Sequence, residues 1–252
     1  MKRDNTMTKR FLTDAGIAQG MRVIEIGCGG GEVTQILAEM VGSSGIVVAI
    51  DRSEDALANA SDRMRSLEIG NVQFVSADVT KNLAALERYP RESFDVLAGR
   101  RVLMYLQNPA EAVRRLVKWL RSEGVAVFEE ADSTMTPARI SQMAAHDQAT
   151  DWLKKMLVAE GGNPSMGFNL PTTLVQAGLR FEKIRAEAVI QGQGTQYPLS
   201  ALLKLVQSRV IAAGIATETE VNTLAVRLDA EGSDPMRVFV SDMSFCAWGH
   251  KP

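Results

Sequence analysis

Residues 23–31 read Val23-Ile24-Glu25-Ile26-Gly27-Cys28-Gly29-Gly30-Gly31, an apolar run that leads directly into a glycine cluster. Apolar residues then recur at helical spacing as far as Val41, so we predict a strand, a glycine loop and a helix in immediate succession. Glycine has no Cβ, which lets the backbone turn tightly and approach a ligand closely. A glycine loop alone is a weak signal, and its interpretation depends on the residues that follow.

The first half of the chain alternates short apolar runs with helical patterns, which is typical of a mostly parallel sheet covered on both faces. Ser53 is a predicted helix cap, and Asn108-Pro109 is a predicted helix start, with an apolar stripe that reaches Leu120 and a stop at Gly124. The predicted strands after the first are Ile46–Ile50, Val72–Ser76, Phe94–Ala98 and Val125–Glu129.

Beyond Asp132 the pattern changes, and we predict one domain over residues 1–252 with a core of about 19–132, 169–190 and 236–250. The insertions at about 133–168 and 191–235 are predicted to form a helical cap over the strand ends, where open α/β sheets bind ligands. The elements predicted here are helices at Ile140–Leu157, Leu170–Ala177, Leu202–Ile211 and Thr217–Gly232, and strands at Phe181–Ile190 and Arg237–Ala247.

Acidic residues stand at or after successive strands. Asp51 ends the second strand, twenty residues after Gly31, where an acid accepts hydrogen bonds from the ribose hydroxyls of an adenosine cofactor. Asp78 follows the third strand, where a carboxylate can accept from an adenine amino group. Glu25 lies within the first strand, and orienting a cationic amino-acid tail would explain a carboxylate buried there. Asp51 or Asp78 alone fits a cap or turn equally well; their joint placement favours a cofactor site.

These motifs resemble those of the class I, Rossmann-like S-adenosylmethionine-dependent methyltransferases of small-molecule type. Residues 23–31 resemble the first motif of the family, acidic-x-Gly-x-Gly-x-Gly, Ala77-Asp78-Val79 its adenine-contacting segment, and residues 94–100 its fourth motif. The resemblance is strong over residues 19–132 and weaker over 169–190 and the final strand. It implies S-adenosyl-L-methionine as cofactor, S-adenosyl-L-homocysteine as product, and a seven-stranded sheet of order 3-2-1-4-5-7-6 with strand 7 antiparallel. The cofactor-binding residues that it implies are Glu25, Gly27, Cys28, Gly29, Gly31, Asp51, Arg52, Asp78, Val79, Gly99 and Arg100.

A nicotinamide dehydrogenase is the nearest rival with a related fold. Its Gly-x-Gly-x-x-Gly/Ala fingerprint needs a small third residue, and that position holds Glu32. Glu32 would also repel a pyrophosphate at the helix N-terminus, whereas S-adenosylmethionine carries no phosphate. The sequence therefore favours the methyltransferase.

Methyl transfer needs the acceptor atom aligned about 3 to 3.5 Å from the methyl carbon, and a hydroxyl or carbon acid also needs a general base. The catalytic candidates are His146, on the first inserted helix, and Tyr105, after the fourth strand. His250 is assigned to the chain's tail. Each catalytic or substrate-binding candidate could instead have a packing, capping or ion-pairing role. The substrate-binding candidates are Arg101, Tyr105, Glu130, Asp132 and His146.

Composition narrows the function further. The net charge of −2 argues against a nucleic-acid partner, and two cysteines are too few for a disulfide framework or a metal site. We expect a cytoplasmic protein with no membrane contact, since the sequence has neither a signal region nor an apolar run of about 18 residues. The apolar insertions favour an enclosed small-molecule acceptor, as in secondary metabolism, and also allow a homodimer. The alternatives are a macromolecular acceptor, and a sensor or cyclase that binds the cofactor without methyl transfer.

Overall fold

The computed structural model describes residues 5–81, 83–134, 141–192, 195 and 197–252. The chain divides into two compact units. Unit 1 comprises Met1–Glu130, Met166–Ala186 and Phe245–Pro252, and unit 2 comprises Ala131–Ser165 and Glu187–Ser244. Most of both inserted stretches therefore belongs to unit 2. That they cap the strand ends stays a prediction.

The strands are β1 (Arg22–Ile26), β2 (Ile46–Asp51), β3 (Val72–Ser76), β4 (Phe94–Arg100), β5 (Leu120–Ala131), β6 (Arg180–Glu187), β7 (Ile190–Gln191), β8 (Phe239–Val240) and β9 (Ser244–His250). The helices are α1 (Thr6–Asp14), α2 (Glu32–Val41), α3 (Glu54–Ser66), α4 (Pro109–Leu116), α5 (Ala144–Ala159), α6 (Met166–Gln176), α7 (Leu199–Leu205), α8 (Gln207–Ala212) and α9 (Glu218–Gly232). Short 3₁₀ turns cover Ala84–Leu86, Leu103–Tyr105 and Val117–Trp119.

Among the described residues, the main sheet has seven strands in the order β3-β2-β1-β4-β5-β9-β6. Strands β1 to β5 pair in parallel. The predicted Rossmann-like fold, with its last strand inserted as the antiparallel member, is confirmed. The central strand β1 is buried along almost its whole length, as expected for a strand covered on both faces, whereas β3 at the edge of the sheet is mostly half-buried or exposed.

Local capping chemistry matches the sequence. The Ser53 side chain accepts a hydrogen bond from the Ala56 N–H at the start of α3, and the Asn108 side chain accepts one from the Glu111 N–H at the start of α4. Thr217 and Glu220 form a reciprocal capping box on α9. Each bond satisfies an N–H that a helix N-terminus leaves without a partner.

The boundary between α4 and β5 differs from the prediction. The helix ends at Leu116, and Leu120 already pairs with Phe94 as the first residue of β5. The register then shifts, so that Val125 pairs with Val96. A Cβ at Gly124 would lie 2.9 Å from the Arg121 carbonyl oxygen, so this glycine serves a close backbone approach within the strand. The apolar spacing suited either element, and pairing with β4 selected the strand.

Other boundaries also move. The last strand was predicted at Arg237–Ala247, but β9 covers Ser244–His250, because Phe239–Val240 pairs with Ile190–Gln191 in a separate two-stranded sheet. The helix predicted at Leu202–Ile211 is two helices, α7 and α8, with Val206 between them. The predicted start of the first inserted helix, Ile140, lies outside the described residues.

Unit 2 has its own apolar core, formed where α5, α7, α8 and α9 contact one another. Its buried members are Ala145, Ala149, Trp152, Met156, Leu199, Leu203, Val206, Val210, Ala216, Val221, Leu224 and Leu228. Over the ranges described, every helix is too short or too polar for a membrane span.

Candidate functional site

A cleft of about 210 Å³ opens at the carboxyl ends of the central strands of unit 1. This edge of an open α/β sheet is where ligands bind, at the point where strand order reverses between β1 and β4. The residues that line it are Gly27, Ile50, Asp51, Arg52, Ala77, Asp78, Val79, Arg101, Val102, Tyr105 and Leu106. The structure therefore brings together the glycine loop, the predicted ribose and adenine acids, and two substrate candidates.

The glycine loop is built for close contact on one side and open space on the other. A Cβ on Gly27, whose φ is +66°, would lie 2.7 Å from Val102 Cγ2, and one on Gly99 would lie 2.9 Å from Val102 Cγ1. Gly29 and Gly30 have no heavy atom within 4 Å of an added Cβ. The loop thus packs against Val102 at its start and leaves room for a ligand at its middle. Cys28 is buried, and its N–H donates to the Ile50 carbonyl.

Asp51 ties the loop to the end of β2. Its Oδ2 accepts a hydrogen bond from the Gly29 N–H at 2.9 Å, and its Oδ1 accepts one from the Ser53 N–H at 3.0 Å. A carboxylate has about four acceptor positions. The half-buried Asp51 carboxylate therefore retains capacity for two further donors, the number that a pair of ribose hydroxyls supplies.

Asp78 is an ionised acceptor after β3. Its Oδ1 accepts hydrogen bonds from the Thr80 hydroxyl at 2.6 Å and the Thr80 N–H at 2.9 Å. These bonds hold the pKa of Asp78 below its ordinary value. Val79, which follows it, is buried, whereas Arg52, beside Asp51, is exposed.

Glu25 is buried in β1, with 1% of its surface exposed. Its Oε2 accepts a hydrogen bond from the Thr34 hydroxyl at 2.6 Å. Burial raises the pKa of Glu25 from 4.5 to about 7, although the Thr34 bond and the charge of Arg100 oppose the rise. A cation at this position would favour the ionised form.

Arg100 binds protein groups. Its guanidinium donates to Glu32 at 2.7 Å and to Asn5 and Thr8 at 3.0 Å each. Arg100 thus forms an ion pair with Glu32 at the start of α2. This ion pair offsets the charge of Glu32, so Glu32 would repel a pyrophosphate less than the sequence alone predicts.

Arg101, Tyr105 and Glu130 meet at the turn after β4. Arg101 is exposed and has a left-handed backbone, with φ at +53°, and Tyr105 is 47% exposed; both line the cleft. Glu130 is fully buried, and its carboxylate accepts hydrogen bonds from the N–H groups of Val102 and Leu103. These contacts support a structural role for Glu130 over direct substrate contact.

Asp132 and His146 belong to unit 2. Asp132 is fully buried; its Oδ1 accepts from the Thr134 N–H, and its Oδ2 has no hydrogen-bond partner within the described chain. His146 is 7% exposed. Its Nδ1 shares a hydrogen bond of 2.8 Å with the Tyr197 hydroxyl, and its ring packs edge-on against Phe239. The predicted catalytic histidine is thus an interior residue of this unit.

A polar group that the sequence does not predict surrounds His146. Glu231 accepts hydrogen bonds from the backbone N–H groups of Ala145 and His146. The Arg237 guanidinium lies 4.6 Å from the centre of the Tyr197 ring, and its Nε and Nη1 are buried without a hydrogen-bond partner in the ranges described. These residues are far apart in the sequence, and no motif connects them. Within the described ranges, no group of three or more His, Cys, Asp or Glu is arranged to hold a metal.

Comparison with known proteins agrees with this geometry. A family model described as a methyltransferase domain matches residues 17–178. The malonyl-[acyl-carrier protein] O-methyltransferase of Paenibacillus sp. (strain JDR-2) is 31% identical over 113 residues, 45% of this chain and 40% of that protein. The ubiquinone/menaquinone biosynthesis C-methyltransferase UbiE of Ectopseudomonas mendocina (strain ymp) is 33% identical over 118 residues, 46% of this chain and 44% of that protein. The match thus spans less than half the length of either curated relative.

A solved structure extends the likeness of fold beyond the matched segment. Phosphoethanolamine N-methyltransferase 2 of Haemonchus contortus, in complex with phosphomonomethylethanolamine and S-adenosylhomocysteine, aligns with 98% of this chain and 52% of its own, with a TM-score of 0.56 and 16% identity. At this identity the likeness concerns the fold alone. The family model covers well over half of the chain, and the sheet order and glycine loop agree with it. The chain belongs to the class I S-adenosylmethionine-dependent methyltransferases.

Proposed function

We propose that the protein transfers the methyl group of S-adenosylmethionine to a small-molecule acceptor. One observation carries the proposal: the cleft of unit 1 combines an open glycine loop with Asp51 and Asp78, and Glu25 is buried in the strand that leads into that loop. Three carboxylates suit a cofactor with a cationic amino-acid tail, a sulfonium and an adenosine. They are less suited to a dinucleotide, whose phosphates are negative.

The residues present fit this cofactor. Asp51 would hold the ribose with its two remaining acceptor positions, Asp78 the adenine amino group, and Glu25 the amino group of the methionine part. When bound, the cofactor supplies a methyl group that is already activated. The remaining task of the chain is to orient the acceptor and exclude competing nucleophiles.

Tyr105 and Arg101 are the proposed acceptor contacts in unit 1, because both side chains line the cleft. Arg101 is suited to a carboxylate or phosphate on the acceptor. Tyr105 is the better supported of the two proposed catalytic residues, because it lines the cleft, whereas His146 Nδ1 shares a hydrogen bond with Tyr197 within unit 2. Asp132 stays a predicted substrate-binding residue; one buried oxygen of its carboxylate has no hydrogen-bond partner in the described ranges.

Relatives support a small acceptor without identifying it. The names of the two curated relatives and of the solved structure indicate three acceptors and methylation on oxygen, carbon and nitrogen. The cytoplasmic location, the homodimer and the role in secondary metabolism remain predictions from the sequence.

The test is transfer of label from methyl-labelled S-adenosylmethionine in the presence of a cell extract. The extract is separated into small molecules, protein and nucleic acid, and the Asp51→Ala variant serves as the inactive control. We expect label in the small-molecule fraction with the wild type only. Label confined to protein or nucleic acid would overturn the small-molecule acceptor, and cofactor binding without any transfer would overturn the enzymatic activity.

A further inference from the structure

The fully buried carboxylate of Glu130 accepts hydrogen bonds from three successive backbone N–H groups. Oε1 lies 3.0 Å from the nitrogen of Val102 and 2.7 Å from that of Leu103, and Oε2 lies 3.4 Å from that of Met104. These N–H groups lie at the start of a 3₁₀ turn, where the turn itself offers no carbonyl oxygen to accept their hydrogen bonds. A single side chain on β5 therefore supplies the acceptors for the turn that follows β4.

This turn forms one wall of the cofactor cleft. Arg101, Val102, Tyr105 and Leu106 line the cleft together with Asp51. Val102 also packs so close to Gly27 that a Cβ there would lie 2.7 Å from Val102 Cγ2. A shift of the turn would therefore change both the wall of the cleft and the packing against the glycine loop.

The backbone beside these bonds is constrained. Arg101 has φ at +53°, a conformation that a residue with a Cβ adopts only when its surroundings enforce it. Its N–H donates to the Glu129 carbonyl at 2.8 Å, and Val102, the next residue, donates to Glu130. Two successive residues of β5 thus fix two successive residues of the turn.

We propose that Glu130 is a positioning residue, which holds residues 101–105 as the wall of the cofactor cleft and so sets the affinity for the cofactor. The effect on affinity rests on the function proposed above, whereas the hold on the turn does not. Glu130 acts through the backbone of the turn and makes no contact with cofactor or acceptor. Its role therefore differs from the substrate contact that the sequence indicated.

The matched control is its neighbour, Glu129. Adjacent residues of a strand point to opposite faces, and Glu129 lies near Cys246, whose thiol pKa its charge helps to raise. Glu129 is buried as well, with 6% exposed. Glu129→Gln and Glu130→Gln are therefore the same chemical change at two buried neighbours. The side chain of Glu130 accepts hydrogen bonds from the turn, whereas Glu129 accepts one through its backbone carbonyl.

The experiment is hydrogen–deuterium exchange of the whole chain at pH 8, followed by calorimetric titration with S-adenosylhomocysteine. In Glu130→Gln we expect the amides of Val102, Leu103 and Met104 to exchange at least tenfold faster, and the affinity to fall at least fivefold, at a temperature where the variant is fully folded. Glu129→Gln should leave both unchanged. If Glu130→Gln does not fold, Glu130→Asp, which keeps the charge but has a shorter reach, should show the same faster exchange.

The two proposals fail in different ways. Unchanged exchange at residues 102–104 in a folded variant would overturn the hold on the turn, whatever the wild type binds. Faster exchange with undiminished affinity would overturn the positioning of the cofactor site. Faster exchange in a protein whose wild type binds no S-adenosylhomocysteine would support the hold and overturn the proposed function.

Discussion

The Thr34 hydroxyl on α2 donates a hydrogen bond to the buried carboxylate of Glu25 on β1, with 2.6 Å between Oγ1 and Oε2. The bond joins the strand before the glycine loop to the helix after it. It also stabilises the ionised form of a carboxylate whose pKa burial raises to about 7. Glu25 thus titrates close to neutral pH, in the strand that leads into the glycine loop.

We predict that the affinity for S-adenosylhomocysteine increases with pH between 6 and 8. If Glu25 receives the cationic amino group of the ligand, the ligand favours the carboxylate, so below a pKa of about 7 binding must release a proton. Below that pKa, each unit by which the pH is lowered should then reduce the affinity by up to about tenfold. Calorimetry at pH 6, 7 and 8 measures this. Glu25→Gln should bind more weakly with a flatter profile, and a flat wild-type profile would exclude this role for Glu25.

We also predict that the free energy of unfolding falls as pH rises from 5.5 to 8.5. Burial raises the folded-state pKa of Glu25 and of Glu130 from 4.5 to about 7. Each group therefore contributes stability that is fully present below pH 4.5 and is lost as pH rises through 7. A pKa rise of this size corresponds to a loss of at most about 3 kcal/mol in the free energy of unfolding per group.

Urea unfolding at pH 5.5 and 8.5 checks this sign. Glu25→Gln should reduce the difference between the two pH values, because glutamine does not ionise. Greater stability of the wild type at pH 8.5 would show that these two carboxyl groups do not dominate the dependence.

Two neighbouring glycines should respond differently to alanine. At Gly27, the added methyl group meets Val102 at 2.7 Å and φ is +66°, so Gly27→Ala should lower the free energy of unfolding by about 1 to 3 kcal/mol. At Gly30, nothing lies within 4 Å and φ is not positive, so Gly30→Ala should change it by less than about 0.5 kcal/mol. Chemical denaturation of both variants measures the contrast, and equal losses would contradict the packing described for Val102.

Tyr197→Phe should destabilise unit 2 without affecting cofactor binding. The substitution removes the hydroxyl that shares a hydrogen bond of 2.8 Å with His146 Nδ1, a loss of about 1 kcal/mol. The cleft proposed for the cofactor consists of unit 1 residues, so the affinity for S-adenosylhomocysteine should stay within about twofold. Denaturation and calorimetry on one preparation give both values, and a large loss of affinity would contradict the assignment of the cleft to unit 1.

The cleft of unit 1 could be predicted from the sequence because its signals are local. Asp51 and Asp78 each follow a short apolar run, and parallel pairing of β1 with β2 and of β2 with β3 brings their carboxyl ends to one edge. The Ser53 cap and the Thr217 capping box depend on residues three positions apart. Periodicity and capping are sufficient to find such features.

The remaining features depend on contacts between distant residues. Leu120 begins a strand because Phe94 pairs with it, and the turn held by Glu130 lies 26 to 28 residues earlier in the chain. His146 is an interior residue, and its ring shares a hydrogen bond with Tyr197, 51 positions away in the sequence. No spacing rule in the sequence predicts these distant contact residues. The positions of the acidic residues could therefore be predicted, but the residues that they contact could not.

The most direct test of the account is calorimetric titration of S-adenosylhomocysteine into the wild type and into Asp51→Ala. Asp55→Ala is the control, an exposed acid in the first turn of α3 that is not among the residues lining the cleft. We predict saturable binding that Asp51→Ala weakens by about 1.5 to 3 kcal/mol, or roughly 10- to 150-fold, and that Asp55→Ala leaves unchanged. Absence of binding by the wild type, or equal affinity in Asp51→Ala, would contradict the assignment of the cleft as the cofactor site.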